Sequence, residues 1–211
     1  MRKQDIPLFF ARLKEENPTP KGELQHTNAF TLLVAVILSA QSTDAGVNRA
    51  TKKLFEIVKT PEDMLALGED ALKSHIKTIG LYHTKAKNII KTAQMLVDTL
   101  NGYVPNTKEA LITLPGVGVK TANVVLNIAF GKETFAVDTH VFRVSNRTGL
   151  APGKTPEAVE KKLDLVVPAP YRLHAHHWLI LHGRYVCKAR KPLCLHCPVQ
   201  MFCRYPEKTK N

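Results

Sequence analysis

The chain has 211 residues, 44% of them hydrophobic and 23% charged, proportions that exclude a disordered or collagen-like protein. Its length suits one large domain or two small ones, and folding would bury roughly 70% of the surface of the extended chain. The formal net charge of +12 points to a polyanionic partner, nucleic acid or an anionic membrane.

The N-terminal stretch from Met1 to Glu16 is charged on both sides of a short apolar segment. It lacks the apolar centre and cleavage site of a signal peptide. Without export, the Asn146-Arg147-Thr148 sequon carries no sugar. The longest apolar run, Ala29 to Ala40, spans 12 residues. A membrane span needs about 20, so the run reads as a buried core helix capped by Asn28 or Thr27. After Asp44, apolar residues at Val47, Ala50, Leu54, Ile57 and Val58 keep helical spacing. Thr60-Pro61-Glu62-Asp63 combines a cap, a first-turn proline and two first-turn acids, and Thr155-Pro156-Glu157 repeats the pattern. Thr107 caps a short helix through Leu111, and Gly131 closes one ending at Phe130. Thr134 to Val137 is the best extended candidate and is too short to found a sheet. The reading is all-α.

Two segments, Ile76 to Leu81 and Leu111 to Gly118, each place a tight turn before a helix, beginning near Thr84 and near Val119. They fit either a weak internal repeat or the ordinary frequency of turns. The second is sharper. Gly116 and Gly118 permit left-handed or close-approach backbone. The helix that follows presents unpaired N–H groups and a positive dipole end, which suits a phosphate. It is neither a P-loop nor a dinucleotide fingerprint. In a basic protein it reads as a helix–hairpin–helix gripping a nucleic-acid backbone. Basic segments are dispersed: Lys73, Lys77, Lys85, Lys87 and Lys91 lie between Ala71 and Val97 with no acid. No basic amphipathic helix of the membrane-surface kind is present.

Lys120 falls in the first turn of the helix after the hairpin, where the dipole disfavours a cation. Its bland role is a phosphate contact. Its sharper role is a nucleophile, made more neutral by the helix end and by partial burial. Asp138 follows Phe135-Ala136-Val137 and suits an N-cap. Four cysteines, Cys187, Cys194, Cys197 and Cys203, occupy a C-x6-C-x2-C-x5-C pattern. In a reducing compartment that spacing favours a metal site over disulfides, with zinc and a [4Fe–4S] cluster both open. The loop between the first two, Lys188 to Leu193, carries three positive charges and no negative one. His176, His177 and His182 read as helix packing or DNA contacts, and Trp178 as core.

Three ordered motifs carry a resemblance to a known family: Leu114-Pro115-Gly116-Val117-Gly118-Val119-Lys120-Thr121-Ala122, Val137-Asp138-Thr139-His140 and the cysteine tail. With Leu38 to Asp44 and His177 to Arg184, they resemble the endonuclease III family of DNA glycosylases with abasic-site lyase activity. The match covers nearly the whole chain. The resemblance implies two helical lobes with DNA in the cleft between them. One is a six-helix barrel over 22–131, with the helix–hairpin–helix at about 107–130. The other joins 1–21 to 132–211 and holds the cluster loop 187–203. It implies Lys120 as nucleophile, Asp138 as essential carboxylate and the four cysteines as [4Fe–4S] ligands. Gln41 would fill the gap left by an extruded base, Leu81 would wedge the opposite strand, Gly116 and Gly118 would face the backbone, and Lys191 would contact it from the cluster loop. Val119 departs from the family, where many relatives carry a basic residue. The expected activity is excision of oxidised pyrimidines followed by strand cleavage 3′ to the abasic site. The expected partner is damaged double-stranded DNA, with no membrane, for a monomer in the bacterial cytoplasm acting on nucleoid DNA. Two alternatives stand beside it: a monofunctional adenine-type relative, and a non-catalytic helix–hairpin–helix DNA-binding protein with a zinc-stabilised tail. Against the first, adenine-type relatives generally carry a further C-terminal domain and lack the lysine.

Overall fold

The computed structural model describes residues 1–209. In chain order the helices are α1 (Asp5–Glu16), α2 (Ala29–Ser39), α3 (Asp44–Thr51), α4 (Leu54–Ile57), α5 (Pro61–Leu67), α6 (Glu69–Ile76), α7 (Tyr82–Leu100), α8 (Lys108–Leu111), α9 (Val119–Phe130), α10 (Thr139–Thr148), α11 (Pro156–Val166) and α12 (Arg172–Tyr185). Short 3-10 turns occupy Ala169–Tyr171, Cys194–His196 and Gln200–Phe202. Among the described residues there is no strand, Thr134 to Val137 included, so the protein is all-α. No described helix is long and apolar enough to cross a membrane. The chain divides into two compact units, 1–22 with 132–211, and 23–131.

Local chemistry sets the helix starts. Asn28 and Thr31 form a reciprocal capping box at α2, and Thr60 and Asp63 form one at α5 ahead of Pro61. Each such box satisfies two N–H groups that a helix start leaves unpaired. Thr107 and Thr155 cap α8 and α11. Thr43, rather than Asp44, caps α3, its Oγ1 accepting from Gly46 N at 3.1 Å. The single helix expected from Asp44 to Val58 is two, because α3 stops at Thr51 and α4 restarts at Leu54. The two candidate repeat turns begin alike: Ile79 N donates to Ile76 O and Leu114 N to Leu111 O. They then diverge, with Leu81 left-handed immediately before α7 and Gly116 left-handed three residues before α9.

In the unit 23–131, α2 is buried on every side from Phe30 to Leu38 and packs against α3, α7 and α9. That all-round burial is why its sequence lacks a polar face. The stripe Ala86, Ile89, Ala93 and Leu96 turns α7 into the same core, at the three-to-four-residue spacing of an inward helix face. Deleting a side chain such as Leu33 to alanine costs about 2–5 kcal/mol.

In the other unit, the N-terminal helix closes a core built by the C-terminal ones. Phe10 of α1 stacks on Tyr171 with ring centres 5.7 Å apart, and Trp178 lies 6.1 Å from Tyr171. Trp178 is buried and donates Nε1–H to Asn17 O at 2.8 Å. The Met1 amino group donates to Gly149 O at 2.8 Å. Gly183 lets α12 approach α10, since a Cβ there would sit 2.8 Å from that of His140.

Candidate functional site

The hairpin between α8 and α9 is fixed from below. Thr92 Oγ1 on α7 donates to Pro115 O at 2.9 Å. Gly116 has φ +80, and a Cβ on it would lie 3.2 Å from Asn88 Cβ and Nδ2. Conformation and space both demand glycine there. Gly118 differs: its backbone is extended, at φ −93 and ψ 177, and nothing lies within 4 Å of a Cβ built on it. What a side chain at Gly118 would occupy is the approach to the start of α9. No side chain caps α9 and no acid stands in its first turn. Its leading N–H groups and positive dipole end are therefore available to an anion. Lys120 sits in that turn and is exposed, so the partial burial expected of it is not found.

Asp138 is half-buried at the head of α10. Its Oδ1 accepts from His140 N at 2.9 Å and Val141 N at 2.8 Å. The cap thus holds the carboxylate in one orientation and employs one oxygen, while Oδ2 accepts neither bond.

Gln41, Leu81, Asn101 and Lys191 are the non-glycine residues with positive φ among those described, at 54, 59, 48 and 48 degrees. Asn101 is the ordinary left-handed cap of α7. The other three are all among the residues singled out as contacts to DNA. A left-handed conformation costs an ordinary residue roughly 1–2 kcal/mol, and such strain concentrates where function fixes a side chain. All three are exposed, Leu81 at 61%.

Lys85 is the residue sequence reasoning misplaced. It is buried at 6% exposure, out of reach of phosphates. Its Nζ donates to Leu38 O at 2.9 Å, Ala40 O at 2.6 Å and Ser42 Oγ at 3.1 Å. Burial pulls its pKa down from the usual lysine value. These acceptors lie more than forty positions away in sequence, so no local pattern marks it.

The four cysteines line one open pocket with Thr148, His182 and Tyr205. Burial pushes the Cys197 thiol up to about 11, with Cys203, Cys187 and Cys194 adding to the effect. Cys203 is also raised, mainly by burial, and Lys208 opposes the shift. His182 Nε2 lies 3.7 Å from Cys197 Sγ, and burial holds this histidine's pKa down to about 4. Tyr205 N donates to Cys203 Sγ at 3.5 Å, and Arg147 Nη1 to Cys187 Sγ at 3.8 Å. Among the described residues no three His, Cys, Asp or Glu side chains converge as ligands of a single ion. A four-sulfur donor set around a cavity fits a cluster core, whose positive charge would favour the thiolate forms that burial disfavours.

Arginines of α10, which the sequence marks only as part of a basic segment free of acids, hold the cysteine loop. Arg143 donates to Cys187 O at 2.9 Å and Gly183 O at 2.6 Å. One turn on, Arg147 donates to Lys188 O at 2.7 Å and Ala189 O at 3.0 Å, with its guanidinium 4.6 Å from the Tyr205 ring centre. Lys191 thus projects from a loop fixed at its base. His176 and His177 are buried in α12, a packing role, and burial pulls His177 down to about 4.

An all-α fold with a helix–hairpin–helix, a lysine at the head of the following helix and a four-cysteine tail defines a class of DNA-repair proteins. The profile of the HhH-GPD superfamily of base excision DNA repair proteins matches residues 34–169, and the chain belongs to that superfamily. It is 58% identical to Endonuclease III of Rickettsia conorii over 97% of this chain and 98% of that protein. It is similar to the structure of a non-covalent Endonuclease III–DNA complex, with TM-score 0.90 and 46% identity over 97% of this chain and 96% of that one. A trapped Endonuclease III–DNA covalent intermediate gives TM-score 0.89 at the same identity and coverage.

Proposed function

We infer that the protein acts on damaged double-stranded DNA through a covalent lysine intermediate. It is a base excision repair enzyme, a DNA glycosylase with abasic-site lyase activity. The observation that carries the mechanism is Lys120, exposed in an uncapped first turn directly after the hairpin, in a chain similar to a protein trapped covalently on DNA. Oxidised pyrimidines are the proposed lesions.

A base inside a duplex is out of reach, so its nucleotide must leave the stack, at a cost of a few kcal/mol. Gln41 and Leu81 offset that cost by entering the vacated space. The hairpin amides around Gly116 and Gly118 and the Lys191 loop hold backbone phosphates. The neutral Lys120 amine attacks the sugar C1′, the C1′–N bond breaks and the base departs with its electron pair and a proton. The ring opens to an imine that acidifies the C2′ protons. Removal of one of them expels the 3′ phosphate by β-elimination. The Asp138 carboxylate stabilises positive charge developing on the sugar and assists the deprotonations. Cys187, Cys194, Cys197 and Cys203 would hold a [4Fe–4S] cluster, which when bound would supply a cross-link fixing the basic loop. A donor set of four cysteine sulfurs suits such a cluster. The protein acts as a monomer on nucleoid DNA of a bacterial cytoplasm, in keeping with its bacterial relatives.

The test is strand cleavage on duplexes carrying either one oxidised pyrimidine or one abasic site. Wild type should cleave both, and Lys120→Ala neither, while retaining affinity for the duplex. Cleavage by Lys120→Ala at the wild-type rate would remove the lysine from its role.

A further inference from the structure

The strained turns at Gln41 and Leu81 share one support. The Lys85 ammonium has three N–H groups and meets three acceptors, Leu38 O, Ala40 O and Ser42 Oγ, so its donor capacity is filled. Two of the three acceptors flank Gln41 directly. The third, Leu38 O, belongs to the last turn of α2, which has no basic residue of its own there and whose negative dipole end favours a cation. On the backbone side, Lys85 N donates to Leu81 O at 3.0 Å. The two turns also approach each other through glycine, since a Cβ at Gly80 would lie 4.0 Å from Gln41 O. One buried residue therefore ties the Gln41 turn to the turn that carries Leu81.

We propose that Lys85 is a positioning residue: its ammonium locks the left-handed Gln41 turn against the Leu81 turn, so that both side chains enter the duplex as one rigid unit. The charge is what the geometry uses. A neutral side chain of the same length leaves Leu38 O and Ala40 O without a donor and lets the Ala40–Ser42 turn relax out of its left-handed conformation. Lys85 touches no reacting atom, and its effect falls on base extrusion rather than on the Lys120 chemistry. The proposal rests on the assignment of Gln41 and Leu81 as inserting residues.

The experiment compares wild type, Lys85→Met, Gln41→Ala and the double variant under single-turnover conditions with enzyme in excess. One duplex carries an oxidised pyrimidine and a second a preformed abasic site. Misplacing an insertion residue by about 1 Å predicts a loss of roughly 10²-fold on the base lesion for Lys85→Met. On the abasic duplex there is no base to unstack, and the loss should be about tenfold smaller. The double variant should lose no more than the worse single variant, because residues acting as one unit are not additive. Equal losses on the two duplexes, multiplying losses in the double variant, or no loss at all would each overturn the proposal. If Lys85→Met does not fold, Ser42→Ala takes its place in the cycle. It removes one acceptor without touching α7, and its loss should show the same preference for the base lesion. Absence of wild-type cleavage on both duplexes would instead overturn the enzymatic reading itself.

Discussion

Alanine at Gly116 and alanine at Gly118 should have opposite consequences. At Gly116 the new Cβ meets Asn88 Cβ and Nδ2 at 3.2 Å, and the backbone stays at φ +80. The left-handed conformation costs about 1–2 kcal/mol, and the crowding of a packed side chain adds a further cost, typically about 1–3 kcal/mol for overpacking. Gly116→Ala should therefore lose roughly 2–5 kcal/mol of stability. At Gly118 the backbone is extended and the space around a Cβ is empty. Gly118→Ala should leave stability unchanged or raise it by about 0.4–1 kcal/mol through the unfolded chain. Its methyl would nonetheless stand where a phosphate must approach the α9 amides, so affinity for duplex should fall. Denaturant unfolding of both variants, with binding to a duplex bearing a reduced abasic site at one fixed salt concentration, separates the two effects. Destabilisation by Gly118→Ala as large as that by Gly116→Ala, or wild-type stability together with wild-type DNA affinity, would refute these separate roles of the two glycines.

Other outcomes follow from the packing and the charges. Trp178→Ala should cost about 3–5 kcal/mol, read by denaturant unfolding, because the indole fills the core shared with Phe10 and Tyr171 and donates to Asn17 O. His177 has a folded pKa of about 4 against an ordinary 6.5, so the unfolded chain takes up its proton first. Its contribution to stability is complete above pH 6.5 and declines as pH falls toward 4. A plot of unfolding free energy against pH should flatten in that window for His177→Phe. Cys203→Ser should increase hydrogen exchange across 187–203 while far-ultraviolet circular dichroism of the helices persists. Lys191→Ala should weaken duplex binding similarly for damaged and undamaged DNA and lower the salt slope by about one unit.

The helix starts were legible because their chemistry is local. Asn28, Thr60, Thr107, Thr155 and Asp138 all cap where residue type and spacing put them, and Gly131 ends α9 with left-handed backbone. The gap between α3 and α4 was hidden because Ala50, Leu54 and Ile57 keep a helical period across it. The left-handed conformations of Gln41, Leu81 and Lys191 were hidden for the opposite reason. Propensity assigns that region to glycine and asparagine, and tertiary contacts impose it here on residues that disfavour it. Lys85 reads in sequence as one more surface lysine in a basic segment. Only the fold brings it to the end of α2, and Arg143 and Arg147 likewise meet the cysteine loop some forty residues downstream.

The proposed chemistry requires a covalent bond between Lys120 and the deoxyribose. Borohydride reduces an imine to a stable protein–DNA link, so treatment during reaction with a duplex carrying one abasic site captures it. Digestion of the linked species followed by mass spectrometry locates the sugar remnant. It should fall on the peptide that contains Lys120, and Lys120→Ala should give no link. A remnant on the N-terminal amine or on another lysine, or undiminished linkage by Lys120→Ala, would contradict the mechanism.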